Sequence, residues 1–473
     1  MAIVPVIGLE IHARLKTKTK LWCRCANEAI PESPNKNICP ICTGFPGMLP
    51  LLNNEAVELA KKAATALNLH INTLTKFDRK NYFYPDLPMG YQISQFDQPL
   101  AEDGYLHIAG ENDEPRKVAI ERLHMENDAG KLSHYAHGSF VDYNRSGAPL
   151  MEIVSKPDMF SSDEASKYAR EMQQILRTVG ASDCDMEKGQ MRFDINISVH
   201  EEGTELGTKV EIKNVNSFKS MEKAIAFEIG RQKECLQSGE KILQETRGWD
   251  DGLEKTVSQR TKEGAADYRY FPEPDIPPMS LDAKDILELK NHIPELPFEK
   301  RQRYIKTYGF DKDTARILCD DRDLTIYFEE VSALTEDPKL SANYITTSLL
   351  ALMNEDKKDI TSSPISARVL ASLLLYVKED KISHLSAKEV LNKLYFEGGD
   401  VATIIQDNGY IQISDMTSLE KIIDEVIAEN PNQTNEYRTG KVALFGFFLG
   451  QVMKKSSGSA NPKIVGEILK SRL

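Results

Sequence analysis

Residues Gly8–Leu15 read G-L-E-I-H-A-R-L. Leu9, Ile11, Ala13 and Leu15 alternate with Glu10, His12 and Arg14, the period of a strand with one apolar and one polar face. The period returns three times. Leu123 and Met125 alternate with His124, Glu126 and Asp128; Phe193, Ile195, Ile197 and Val199 with Arg192, Asp194, Asn196 and Ser198; Val210 and Ile212 with Glu211 and Lys213. A sheet of these segments packs one side and displays acids, amides and bases on the other. Many amphipathic strands simply turn such a face to water. Here the composition is different: His with several Glu and Asp can bind a divalent cation, whereas a plain solvent face interleaves Lys, Thr and Ser. Glu152, set among Leu150, Met151, Ile153 and Val154, adds a carboxylate whose burial is costly unless it is paired or bound to metal. Period-two alternation also allows Glu152 to point to solvent.

Cys23, Cys25, Cys39 and Cys42 form C-x-C, thirteen residues, then C-P-x-C. Two close thiol pairs brought together by a loop suit a structural, tetrahedral zinc with no open position. The competing reading is buried unligated thiols or a redox pair. Seven cysteines is an odd number and does not describe a disulfide framework.

At 473 residues the chain has room for about three domains of ~150 residues. Its 41% hydrophobic and 28% charged residues are ordinary for a soluble globular protein. No apolar run approaches the ~18 residues of a membrane span, and Met1 leads almost directly into a strand, leaving no room for a signal peptide. The expectation is a cytoplasmic protein with no membrane contact. A net charge of −13 argues against nucleic-acid binding by the body as a whole. From Arg438 to Leu473, however, seven bases face one acid, a module that could touch phosphate or be only a solvated face.

The expected fold class is α+β. Residues 1–293 read as a β-rich cradle holding the zinc site, 294–399 as an all-α domain, and 400–473 as a small, basic helical tail, with Gly398 and Gly399 as the hinge. In the cradle, helices are expected over Leu52–Leu69, Ser161–Val179, with Glu164 completing a capping box on Ser161, and Phe218–Leu236. Asp267–Pro278 is too rich in proline for a helix. Further helices are expected over Pro297–Tyr308, Leu340–Asn354, Ser366–Lys378, from Thr417 as a cap to Asn430, and from Pro462. The stretch from Asp78 to Gln95 sets Tyr82, Phe83, Tyr84 and Tyr91 among Arg79 and Lys80. It could stack an unpaired base or simply pack its aromatics under a loop. There is no Walker loop and no G-x-G-x-x-G.

Several long stretches, in order, resemble the B-subunit family of the aspartyl/glutamyl-tRNA amidotransferases. They are G-L-E-I-H-A-R-L, C-P-I-C-T-G-F-P-G, R-K-N-Y-F-Y-P-D-L-P-M-G-Y-Q-I-S-Q, H-M-E-N-D-A-G-K, N-R-S-G-A-P-L-M-E-I-V, R-F-D-I-N-I-S-V, G-T-K-V-E-I-K-N-V-N-S-F and D-Y-R-Y-F-P-E-P-D. The ending G-Q-V-M-K-K-S-S-G-S-A-N-P resembles that family's tRNA-binding tail. The resemblance implies that ATP phosphorylates the side-chain carboxylate of misacylated Glu-tRNA(Gln) or Asp-tRNA(Asn), and that ammonia displaces the phosphate. It implies Mg²⁺ held by Glu10, His12, Glu126 and Glu152, and second-rank roles in a further metal, nucleotide or ammonia passage for Asp194, Asn196, Glu211 and Lys213, with Lys213 equally readable as a paired structural lysine. Arg145 and Asn196 are the expected nucleotide contacts. It further implies a heterotrimer with an amidase A subunit that supplies ammonia and a small C subunit. Two residues depart from the family pattern: Met89 stands where a lysine is expected, and Asn127 follows Glu126 where a second glutamate is common. A zinc-stabilised tRNA adaptor with no chemistry of its own is the rival reading.

Overall fold

The computed structural model describes residues 2–27, 33–110, 114–261, 268–412, 416–456 and 460–473, apart from the side chains of 260, 261, 417 and 418. Asp267 and the Thr417 cap reading lie outside the described residues. By internal contacts the chain divides into two units, Met1–Lys300 and Arg301–Leu473.

The first unit is built on a nine-stranded sheet. In chain order its strands are β1 (Ile3–Arg14), β2 (His70–Ile71), β3 (Ala101–Ala109), β4 (Pro115–Asn127), β5 (Pro149–Ser155), β6 (Met191–Glu201), β7 (Val210–Val215), β8 (Glu245–Asp250) and β9 (Lys255–Thr261). Their spatial order is β9-β8-β7-β6-β1-β5-β4-β3-β2, so β1 lies at the centre. Every pair is antiparallel except β7 with β8. That parallel pair needs a crossover, and the helix Phe218–Ser238 supplies it.

Alternation then fixes what is buried. Ile7, Leu9, Ile11 and Ala13 of β1, with Leu123, Met125, Met151, Ile153, Ile195 and Ile197 beside them, have no exposed surface. Three helices join the same core: α1 (Asn54–Ala66) with Ala56, Ala60, Ala63 and Ala64, α2 (Ser162–Thr178) with Tyr168, Ala169 and Met172, and α3 (Phe218–Ser238) with Met221, Ala224 and Ile225. Their small residues let helix backbones approach the sheet, and each large apolar side chain removed from water there contributes ~1.5–3 kcal/mol. Ser161 Oγ accepts from the Glu164 amide at 3.1 Å, while Glu164 reaches back to the Phe160 amide at 2.7 Å, which fixes the start of α2. Ser217 caps α3 by accepting from the Ser220 amide at 3.0 Å, and Gly239 at φ +72° ends it.

The second unit is helical. Pro297–Tyr308 is a helix stopped by Gly309 at φ +64°. The segment expected as one helix over Leu340–Asn354 runs from Pro338 to Glu355 and widens into a π-helical turn at Ile345–Leu349. One apolar core extends from Tyr304 to Ile405 and another from Leu419 to Leu469. The helix Val401–Asp407, which follows Gly398 and Gly399, keeps Val401 and Ile405 in the earlier of these cores. Among the described residues, no helix is long and apolar enough to cross a membrane.

Candidate active site

The strand register sets polar side chains in rows across the face of the sheet opposite its apolar core. His12 stands opposite Glu152 on β5 and Arg192 on β6, and Glu152 stands opposite His124 on β4. One step along, Glu10 faces Asp194, and one step beyond that Asn196 faces Glu211.

Two groups of donors result. His12 Nε2 lies 3.2 Å from Glu152 Oε2 and 3.7 Å from Glu126 Oε1. The potential ligand atoms of these three residues all lie within 4.8 Å of one another. His124 Nε2 approaches Glu152 Oε2 from the other side at 3.4 Å. Burial would raise the Glu152 pKa, but the adjacent His124 and His12 hold it well below the usual carboxylate range. Burial likewise lowers His12, and the hydrogen bond and charge of Glu152 overcome it, leaving the imidazole raised. Among the described residues, the Nδ1 atoms of both histidines are buried without a hydrogen-bond partner.

The second group is Glu10, Asp194 and Glu211, again within 4.8 Å. Lys213 Nζ sits against it, 2.9 Å from Asp194 Oδ2 and 3.4 Å from Glu211 Oε1. Asn196 Nδ2 donates to Glu10 Oε1 at 2.9 Å, and Thr246 Oγ1 donates to Glu211 Oε2 at 2.7 Å. Burial and then the charge of Glu152 raise the Glu10 pKa. Lys213 is raised as well: burial opposes its charge, and Asp194 and Glu211 prevail.

The set Glu10, His12, Glu126 and Glu152 read from the sequence thus meets as three, with Glu10 in the neighbouring group. The reason is the rise along a strand: residues two apart are separated by ~6.5 Å, so each draws its partners from a different row. Two carboxylates and an imidazole fit a divalent cation, and three carboxylates fit a hard, oxygen-seeking one.

A cavity of about 410 Å³ opens on this face, lined among others by His12, Glu126, Asp194, Lys213, Lys80 and Tyr82. On its wall Asp128 accepts from Arg192 Nη1 at 3.4 Å and pairs with Arg145 Nε at 3.2 Å. Burial would raise Asp128, and the arginines Arg192, Arg145 and Arg14 hold it below its ordinary value. Arg145, expected at the nucleotide, also donates to the carbonyls of Ala129 and Gly130. Arg79 pairs bidentately with Glu273 at 2.7 and 2.9 Å, and its guanidinium lies 4.3 Å from the Tyr91 ring centroid. The stretch read as a loop instead forms two paired antiparallel strands, Asp78–Asn81 and Tyr91–Ser94, on which Arg79 and Tyr91 are engaged in packing, whereas Phe83 between them is 91% exposed. Asn127 points away from the site: its Oδ1 accepts from Trp22 Nε1 and the Ile93 amide, both at 3.0 Å. Sequence reasoning passed over His124, Asp128 and Arg192 as site residues, although they share the alternation that marked their neighbours.

The four sulfurs of Cys23, Cys25, Cys39 and Cys42 lie within 4.8 Å of one another, and the Cys39 amide donates to Cys42 Sγ at 3.2 Å. A hydrogen bond from Cys23 holds the Cys42 thiol below its ordinary value. The donor set fits zinc. In the basic tail, Lys455 pairs with Glu425 and Glu429, and Arg472 with Glu420 and Asp424.

A sheet with acidic, imidazole-bearing rows on one face and a separate thiol centre defines a class. Residues 5–287 match the family model of the GatB/GatE catalytic domain, and residues 326–473 match that of the GatB domain. Close relatives carry the name of the B subunit of aspartyl/glutamyl-tRNA(Asn/Gln) amidotransferase. That of Persephonella marina is 47% identical over all of both chains, and that of Gloeobacter violaceus is 47% identical over 99% of this chain and 86% of its own. That of Carboxydothermus hydrogenoformans is 45% identical over 99% of this chain and 98% of its own. The chain belongs to the B-subunit family of the aspartyl/glutamyl-tRNA(Asn/Gln) amidotransferases.

Proposed function

We propose that this chain is the amide-forming subunit of an ATP-dependent ligase acting on misacylated Glu-tRNA(Gln), Asp-tRNA(Asn) or both. The observation that carries the reading is the meeting of His12, Glu126 and Glu152 beside a polar cavity in a chain of this family. A carboxylate is a poor electrophile, so its oxygen attacks the γ-phosphoryl group of ATP, ADP departs, and ammonia then displaces phosphate from the acyl phosphate.

His12, Glu126 and Glu152 would hold Mg²⁺, which when bound neutralises charge on the phosphates. Lys80, Arg145 and Arg192 supply positive charge on the cavity wall. Glu10, with its raised pKa, is suited to take the proton that the attacking ammonia sheds as the amide forms; Asn196 holds its carboxyl in place, and Lys213 balances the charge of Asp194 and Glu211 beside it. The cysteines hold a structural zinc. Ammonia comes from an amidase A subunit in a heterotrimer with a small C subunit, in the cytoplasm. The division of labour is chemistry in the cradle (1–293) and tRNA contact in the basic tail (400–473), with the helical domain (294–399) between them.

The test uses the assembled complex with Glu-tRNA(Gln), ATP and Mg²⁺ but no glutamine. ADP release should depend on the aminoacyl-tRNA and fall at least about a hundredfold in Glu126→Gln, the scale of losing one preorganised electrostatic group. Release at the wild-type rate in that variant overturns the assignment. No tRNA-dependent ADP release in the wild type favours an adaptor.

A further inference from the structure

Lys20 is fully buried, and among the described residues no carboxylate pairs with it. Its Nζ donates to the carbonyl oxygens of Asn37 at 2.9 Å and Tyr143 at 3.5 Å, and to Cys42 Sγ at 3.6 Å. An ammonium removed from water needs an anion as well as acceptors. The groups beside it able to carry negative charge are the thiols, and a zinc ion bound by four thiolates leaves a net charge of about −2 to be balanced.

The same lysine stands where two loops are joined. Asn37 donates its amide to Asn144 Oδ1 at 2.8 Å, Asn35 donates its side chain to the Val141 carbonyl at 2.9 Å, and Asn144 Nδ2 donates to the Ser33 carbonyl at 2.7 Å. Ser146 Oγ donates to the Cys42 carbonyl at 3.0 Å. The cysteine loop is therefore laced to the turn Tyr143–Gly147, and that turn carries Arg145 into the cavity wall.

We propose that Lys20 is a positioning residue, the internal counter-ion of the zinc–thiolate centre and the strut through which the filled centre fixes the turn that presents Arg145. The proposal rests on reading the four cysteines as zinc ligands, and the experiment separates the two. Zinc is first counted in the full-length wild-type chain: a zinc-free protein overturns the cysteine reading, and with it the role of Lys20. In a zinc-loaded protein, Lys20→Met keeps the length of the side chain and removes its charge. Transfer of zinc to an excess of a chromogenic chelator should then be about ten- to a hundredfold faster than in the wild type, as for loss of a residue that orients a metal ligand. Equal rates overturn the proposal and leave the zinc site standing. A second arm needs no variant: amide exchange is followed as zinc is withdrawn from the wild type. Protection should be lost at 143–147 while 193–197, in the middle of the sheet, stays protected. Unchanged protection at 143–147 overturns the proposal even if Lys20→Met cannot be produced.

Discussion

Glu10 is held where its charge is disfavoured, by burial first and by Glu152 next. Folding therefore favours its protonated form. Below the unfolded value of ~4.3 the carboxyl carries no penalty, and a penalty appears as pH rises through the raised folded value and persists at pH 7. Glu10→Gln keeps an acceptor for Asn196 and removes the charge. In chelator, to keep cations out, the variant should be more stable than wild type by about 1 kcal/mol at pH 7, with a smaller gain towards pH 4. Denaturant titrations at the two pH values check this, and a less stable variant at pH 7 would contradict it. The gain should be accompanied by slower amide formation. At this scale the sequence was legible in one respect and silent in another. Alternation marked Glu10, His12, Glu126 and Asp194 as one face, but register decides which of them meet, and register depends on pairings between strands more than a hundred residues apart. Alternation put His124 on the polar face, but its role exists only opposite Glu152; Asn127 stood out only as a departure from the family pattern, because its partners, Trp22 and Ile93, come from distant parts of the chain.

Among the elements, β3 shows how tightly the sheet is sealed. A Cβ on Gly104 would lie 2.5 Å from Leu69 Cγ and 2.7 Å from the Leu67 carbonyl oxygen. Leu67 O also accepts from the Tyr105 amide at 2.9 Å, so it cannot withdraw without losing that bond. Gly104→Ala should cost about 1–3 kcal/mol by overpacking, read as a lower denaturation midpoint with unchanged tRNA-dependent ADP release per folded molecule. Helices were legible from their periodicity and caps, α2 above all. The parallel pairing of β7 with β8 was not, since nothing within either strand announces a crossover partner. The π-helical turn had a local signal. Thr346 and Thr347 return their hydroxyls to the carbonyls of Ala342 and Asn343 at 2.8 and 2.6 Å, which competes with regular α-helical bonding.

For the molecule as a whole, the two units have apolar cores of their own. Calorimetry should resolve more than one unfolding transition, and stripping zinc should lower by several degrees only the transition belonging to Met1–Lys300, because binding stabilises the unit that binds. A single transition that shifts as one would refute this. The charge asymmetry legible in the sequence is softened in the structure: residues 416–473 hold eight bases and six acids, and the acids of helix Met416–Glu429 already engage Lys455 and Arg472. The central position of β1 has a consequence for biosynthesis. Strand β1 is synthesised before its partners β5 and β6, and the ribosome needs roughly 10–40 s to reach the latter at 5–20 residues per second. Through that interval a greasy, unmated ribbon must be kept from neighbouring nascent chains, so this protein is a natural client for chaperones that bind at the exit tunnel.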